Sequence, residues 1–488
     1  MTTASPAASQ AREKKFLGQP RLLANLFGVE MWERFSFYGM QGILLIYLYY
    51  AAEEGGLGID RVSATSIVGA YGGLVYLSTI LGAWLADRLL GSERMLFYSA
   101  IVIMFGHLSL SLLPGLLGVG VGLVAIALGS GGLKANATAM VGSLYDEHDE
   151  RRDAGFSIFY MGINIGALFG PLLTGLVQSS WGFHAGFALA AIGMAIGLIQ
   201  YSIGRKGFSA ESRRVANPLP ASQRLITIVI AGAGLVLIAV LALTGVLAAD
   251  RLSAIVVGAS IVATIGYFVI ILTSKKVTAI ERRRVYAFIP MFITSAAFWS
   301  LYQQQFTVVT IYSDKRLDRD LFGWEMPVSW VQSINPVFII ILAGGFAALW
   351  TKLGPRQPST PIKFALGTMI MGVAFLLFLP FVGGGPGSTP LIGLIGILFV
   401  FTIAELLISP VGLSLSTKLA PEAFHTQMVA LFFLSIALGT AMSGVLAGYY
   451  SPASEAVYFG FLGGTAIVIG IVLVLLTPMI RKLMSGVH

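Results

Sequence analysis

Residues 95–133 contain no lysine, arginine, aspartate or glutamate, and this one run is about twice the roughly 20 apolar residues that carry a helix across a bilayer. It must hold two spans, and LLPGLLGVG, where Pro114 is followed by three glycines, supplies the turn between them. Uncharged runs at 35–52, 62–86, 225–249, 252–274 and 285–313 are each long enough to cross once. The chain is 56% hydrophobic and 11% charged, with mean hydropathy +0.83, far from the roughly 25% charged residues of a soluble domain. It reads as an all-α integral membrane protein of the bilayer, with little chain left for a soluble domain. Its function must then sit within the membrane.

Reading the remaining gaps between charges the same way predicts fourteen transmembrane helices, starting near residues 22, 62, 95, 118, 153, 182, 225, 252, 285, 326, 362, 390, 424 and 456. With the N-terminus inside, 24 of the 31 lysines and arginines fall on cytoplasmic segments and five on external loops, as the positive-inside tendency requires. Both termini are therefore expected in the cytoplasm. Topology absorbs the net charge of +8, and no nucleic-acid partner is needed. The chain has no cysteine, which excludes disulfide and thiolate chemistry. The opening MTTASPAASQAREKK has no apolar core of a signal segment and reads as a disordered tail.

Two uncharged spans of little polar character lie between the basic stretches GRKGFSAESRR and SKKVTAIERRR. They look like an insertion between two six-helix halves. The expected organisation is a disordered cytoplasmic tail (1–20), an N-terminal six-helix bundle (21–204), a linker with two inserted transmembrane helices (205–284), a C-terminal six-helix bundle (285–482) and a short cytoplasmic tail (483–488). GAWLADRLLGSER follows the second span of the first half and GFAALWTKLGPR the second span of the later half, with the same separation between Gly82 and Gly91 as between Gly345 and Gly354. Two related halves point to a transporter with its site near the midplane.

A charge at the bilayer centre costs about 2.5–3.5 kcal/mol on insertion scales and ordinarily faces a cavity on an ion or substrate path. Glu30, Glu33 and Arg34 in EMWERFSFYG lie three and four residues apart, on one helix face. The plain alternative is a helix end reaching to the interface. Lys134 in ALGSGGLKANATAM is flanked by apolar residues, and the glycines before it allow a neighbouring helix to approach. GSGGLK lacks the spacing and preceding strand of a phosphate loop. Glu405 in FTIAELLISP is the only acid between Glu325 and Glu422, and Pro410 implies a kink or local break beyond it. A lone buried carboxylate suits a proton carrier. Asn164 and Asn335 are amides inside spans, where bridging helices is the commoner role. Tyr38, Tyr76 and Tyr160 are candidates for a pocket wall, although tyrosine in a helix is usually packing, and His107 reads as packing. No cluster has metal-site spacing, and no nucleophile and base pair marks an enzyme.

Taken together these segments resemble a known family. EMWERFSFYG is similar to the ExxERFxYYG motif of the proton-dependent oligopeptide transporters of the major facilitator superfamily, FSIFYMGINIGALFGP to their fifth-helix signature, and ELLISPVGLSLSTKLAP to their tenth-helix one. GAWLADRLLGSER resembles the superfamily loop motif, and the inserted pair resembles bacterial members. The resemblance implies the major facilitator fold with 6 + 2 + 6 helices in the cell (plasma or inner) membrane. It implies proton-coupled import of di- and tripeptides by alternating access, as a monomer and without a cofactor, the proton gradient being the driving force. By position, Glu30, Glu33, Arg34 and Glu405 would couple protons to transport. Arg34 and Lys134 would meet the peptide carboxylate, and Glu405 its amino group. Tyr38, Tyr76, Tyr160, Asn164 and Asn335 would line the backbone and pocket wall. Gln41 stands where many relatives carry an arginine and Gln303 where many carry a glutamate, so an external gate here would be neutral. Phe37 and Phe432 depart from a tyrosine and a pocket tryptophan. The rivals are a same-fold carrier of nitrate, amino acids or peptide-like drugs, and a membrane receptor that transports nothing.

Overall fold

A computed structural model describes residues 15–146, 149 and 151–486. In lipid every backbone amide must find its partner within the segment, which leaves the helix as the form for these apolar runs. Among the described residues, thirteen helical stretches are long and apolar enough to cross a membrane, and α1 (Arg21–Tyr49), of 29 residues, is a further helix. The rest of the first half comprises α2 (Arg61–Leu85), α3 (Ser92–Leu112), α4 (Gly115–Gly142), α5 (Arg152–Trp181) and α6 (Phe183–Gly204). The pair between the basic stretches is α7 (Ala221–Leu243) and α8 (Leu252–Thr273). The later half holds α9 (Ala279–Tyr302), α10 (Val308–Lys315), α11 (Ile334–Leu353), α12 (Thr360–Leu376), α13 (Leu391–Lys418), α14 (His425–Ala447) and α15 (Glu455–Leu483).

Most of these starts fall close to the expected ones, and the exceptions have local causes. The ninth span begins at Ala279 because Thr278 and Glu281 form a capping box, each side chain accepting from the other's backbone N–H, which satisfies two orphan donors and draws the basic residues into the helix. It then changes to a 3-10 turn at Gln303–Phe306 before α10. The tenth opens as a 3-10 stretch, Val328–Ser333, behind Pro327. α13 runs through Pro410 without interruption, so the local break expected there is absent. Part of the N-terminal tail is also ordered. Residues 1–14 lie outside the described residues, but Lys15–Phe16 (β1) pairs antiparallel with Gln19–Pro20 (β2). The turn between them has positive φ at Leu17 and Gly18, and buried Gln19 accepts a hydrogen bond from Tyr145 Oη at 3.1 Å.

The chain folds into two compact units. Among the described residues, the first lies within 15–40, 78–177 and 184–228, and the second within 41–77, 178–183 and 229–486. In the first unit, α3 and α4 form a hairpin about Pro114 and Gly115, the latter at φ +67°. The closest approach is between α1 and α5. Gly162, Gly166 and Gly170 recur every four residues along α5, and a Cβ on Gly166 would stand 2.3 Å from the Met31 carbonyl oxygen and one on Gly170 2.5 Å from that of Phe35. Small residues four apart let two backbones meet where no hydrophobic force drives helices together in lipid. The linker closes one end of this unit. Glu93, fully buried, takes Arg205 at 2.6 and 3.0 Å and Arg213 at 3.3 Å, and Asn217 N–H donates to the Asp87 carbonyl at 3.0 Å.

In the second unit α8 packs on α14 and on residues 66–73 of α2. Ser253 donates to the Ser66 carbonyl at 2.7 Å, and a Cβ on Gly69 would meet Gly444 Cα at 2.6 Å. α7 buries no residue, as expected of a helix surrounded by lipid. Gly372 and Gly463 join α12 to α15 through each other's carbonyls. One end of this unit is held by Arg316, in ion pair with Glu455 at 2.6 Å, and by Asp314, which accepts from Tyr49 at 2.7 Å and Tyr50 at 2.5 Å and pairs with Lys315 at 2.7 Å. Gly91 and Gly354, the matched glycines of the two loop repeats, both have positive φ, at +81° and +46°, so each repeat has a glycine where the chain needs one.

Gly166→Ala is expected to be costly, because a backbone carbonyl cannot yield as a side-chain tip can. Overpacking of this sort costs about 1–3 kcal/mol. A fall in the thermal unfolding midpoint of the detergent-solubilised protein, absent in Gly464→Ala, where a Cβ meets nothing within 4 Å, is the expected result.

Candidate functional site

In the first unit, α1 and α4 bring the buried charges together. Glu30, Glu33 and Arg34 are all at most 2% exposed. Arg34 Nε donates to Glu30 Oε1 at 3.0 Å and stands 2.7 Å from Glu33 Oε2, so one guanidinium serves two carboxylates. Glu30 Oε2 is buried with no hydrogen-bond partner among the described residues. Lys134, partly buried on α4, interacts electrostatically with Arg34, Glu33 and Glu30. These four groups balance as two acids and two cations. The three groups on α1 are too deep for screening by bulk water, which makes the local charge count decisive.

The wall behind them is the α5 glycine row, since Gly166 faces both the Met31 carbonyl and Arg34 Cβ. The Arg34 guanidinium carbon lies 5.3 Å from the centre of the Phe37 ring, which meets Tyr38 edge-on at 5.1 Å. The phenylalanine at this departure thus offers an apolar face to the cation. Asn164 is buried, and its amide donates to the Tyr160 carbonyl one turn back at 2.9 Å. Tyr160 itself is 43% exposed. Of the residues expected in the pocket wall, Tyr38, Tyr160 and Asn164 therefore belong to this unit.

The second unit contains Glu405, Asn335, Tyr76, Gln41 and Gln303. Glu405 is held by neutral donors. Asn335 Nδ2 donates to Glu405 Oε2 at 3.0 Å and to Thr402 Oγ1 at 3.0 Å, and Tyr302 Oη reaches Asn335 Oδ1 at 3.4 Å and lies within hydrogen-bond range of the carboxylate. Among the described residues no cation forms an ion pair with Glu405. A carboxylate placed in this way keeps a net charge that a ligand ammonium can neutralise. Tyr76 is partly buried. Gln41 and Gln303 are both buried, but no hydrogen bond joins them among the described residues, and Gln41 Oε1 has no partner there. The neighbouring Gln304 is the glutamine that is tied down, accepting from Tyr458 at 2.6 Å. His107 is fully buried with neither ring nitrogen hydrogen-bonded among the described residues, in keeping with packing.

Three residues of these constellations escaped the sequence reading. Ser130 donates to Glu33 Oε1 at 2.8 Å, while Tyr302 and Thr402 brace Asn335 and Glu405. Two of them carried a signal, because Ser130 precedes Lys134 by four residues and Thr402 precedes Glu405 by three, the spacings that share a helix face.

With this geometry in hand, comparison with known proteins is informative. The model of the POT family matches residues 93–462. An uncharacterized transporter, YclF, of Bacillus subtilis (strain 168) is 42% identical over 481 residues, covering 97% of each chain. A di-/tripeptide transporter of Lactococcus lactis subsp. cremoris is 42% identical over 496 residues, covering 98% of this chain and 99% of its own. The crystal structure of a mutant of the peptide transporter POT in complex with alafosfalin superposes with a TM-score of 0.92 at 44% identity, covering 97% of this chain and 98% of that one. With a family match across most of its length and relatives alike from end to end, this multi-pass plasma-membrane chain belongs to the POT family of transporters.

Proposed function

We propose that the chain is a proton-coupled symporter that imports di- and tripeptides by alternating access. It does so as a monomer with fourteen transmembrane helices in a 6 + 2 + 6 arrangement and both termini in the cytoplasm. The observation that carries this reading is the pair of unlike charge sets. Arg34 and Lys134 offer cations in the first unit, and Glu405 offers a carboxylate with only neutral partners in the second. A zwitterion with separated ends needs both, whereas nitrate has no use for Glu405. The relatives named as di-/tripeptide transporters support the same substrate class.

Arg34 and Lys134 bind the peptide carboxylate and Glu405 binds its ammonium. Tyr38, Tyr76, Tyr160, Asn164 and Asn335 hold the peptide backbone and shape the wall. Glu30 and Glu33 carry the coupling proton. A proton on either acid removes one of the two charges that engage Arg34, and a guanidinium so relieved is available to the peptide carboxylate. Protonation and peptide binding then favour each other, by linkage. Gln41 and Gln303 act at the external gate by packing, without an ion pair. No cofactor takes part, since the proton gradient drives accumulation.

In proteoliposomes, an imposed inward proton gradient should drive uptake of dipeptides but not of nitrate or free amino acids. Equal uptake of nitrate would overturn the substrate assignment. Glu405→Gln should weaken dipeptide affinity by about 10- to 150-fold, the worth of a charge-assisted hydrogen bond of roughly 1.5–3 kcal/mol. N-acetylated dipeptides should compete poorly against wild type for the same reason. Competition as strong as that of free dipeptides means that Glu405 does not read the amine.

Glu33→Gln separates coupling from binding. Exchange between equal peptide pools requires no net proton movement, so part of it should survive, while accumulation against a gradient disappears. Parallel loss of both activities in folded protein assigns Glu33 to structure or binding instead.

A further inference from the structure

Hydroxyls inside a helix usually turn back to their own chain, donating to the carbonyl three or four residues earlier. This protein follows that habit at Ser109, Thr174, Thr368, Thr402 and Thr440, each bonded to the carbonyl four residues back. Ser130 does not. Fully buried on α4, it makes its one hydrogen bond among the described residues across to α1, donating to Glu33 Oε1 at 2.8 Å. The other oxygen of the same carboxylate faces Arg34.

The position of the hydroxyl is firmly set. A Cβ on Gly131 would stand 2.4 Å from the Ser78 carbonyl carbon, and one on Gly132 2.3 Å from Ser99 Oγ, so α4 is wedged against α2 and α3 on either side of the Ser130 turn. Lys134, one turn further on, lies on the same face. The charged groups around Glu33 are Glu30 and Arg34 on its own helix and Lys134 on α4. Among the described residues, α5 and α6, which pack on this stretch, present no charge to it. α5 offers Gly162, Gly166 and Gly170, and α6 offers Gly193 and Met194.

A serine hydroxyl has one property that none of those charged neighbours shares, for it both donates and accepts. It donates to Glu33 as a carboxylate, and by turning its proton away it accepts from Glu33 as a carboxylic acid. Arg34 and Lys134 can only donate, so neither can accept the O–H of the protonated acid. We propose that Ser130 is a positioning residue for proton coupling, a partner that keeps Glu33 hydrogen-bonded and fixed in place both with and without its proton. This rests on the reading of Glu33 as a coupling acid given above.

The test is the pH profile of gradient-driven dipeptide uptake in proteoliposomes for wild type, Ser130→Ala, Ser130→Thr, Glu33→Gln and the Ser130→Ala/Glu33→Gln double variant. Ser130→Ala should raise the midpoint by about one pH unit, since the lost bond is charge-assisted, and so stronger, when Glu33 is ionised than when it is an acid, and Ser130→Thr, which keeps the hydroxyl, should return it toward wild type. Peptide exchange supplies a second readout independent of how well threonine fits. On the Glu33→Gln background, where no proton is taken up, Ser130→Ala should cause no further loss, because coupled residues are non-additive. A Ser130→Ala profile that superimposes on wild type overturns the proposal, and so does an additive loss in the double variant. If Glu33→Gln itself retains driven accumulation, it is the assignment of Glu33 that fails, whatever the Ser130 variants do.

Discussion

The first unit depends on a single guanidinium held between two carboxylates in an apolar setting. Arg34 cannot lose its proton and cannot leave its helix face, so Glu30, Glu33 and Lys134 must compensate it where it stands. Removing one member of a buried ionic set leaves an uncompensated charge, which is far more costly than the intact set is favourable. The glycine row of α5 follows from the same constraint. The backbone behind Arg34 has to come close enough to exclude lipid, and Gly166 permits that where any side chain would strike the Met31 carbonyl.

The second unit treats its functional charge in the opposite way. Glu405 has donors but no counter-ion, and Asn335 divides its amide between Glu405 and Thr402. Neutral hydrogen bonds orient a carboxylate without cancelling it. The charge on this partly buried acid is left uncancelled. Charges at the helix ends are treated differently again. Glu93 engages two arginines, Glu455 engages Arg316 and Tyr450, and Asp314 engages two tyrosines and Lys315. These acids are saturated by several partners each, as befits anchors that tie the linker and the loops in place. Saturation of this kind separates these acids from Glu405, which forms no ion pair among the described residues.

Much of the fold was legible in the chain itself, because lipid imposes one simple rule. A stretch that crosses must be apolar and helical over a length set by the bilayer, so the gaps between charges located the helices, and Pro114 with Gly115 marked the turn inside the longest gap. Local chemistry moved the boundaries where it acted, as at the Thr278 and Glu281 capping box and in the hairpin of residues 15–20 that replaces part of an expected tail. Glu30, Glu33, Arg34, Lys134 and Glu405 could be singled out from sequence since a charge inside an apolar run is conspicuous by its cost.

Contacts between distant segments were a different matter. Nothing in the order of residues says that Ser130 turns away from its own helix to reach Glu33, that Asn335 braces Glu405 while Asn164 bonds to its own backbone, or that Gln304 rather than Gln303 engages a tyrosine. Serine, asparagine and glutamine are cheap enough to occur anywhere in a helix, and their spacing shows at most which face they share, not which group on another helix they bond. Sequence by itself determined which segments enter the membrane and which charges they carry with them, through the free energy of each residue in lipid. Only the tertiary structure decided which polar groups meet, because a hydrogen bond is made or lost within a few tenths of an ångström, and that distance is set by how closely the glycine-lined helices pack.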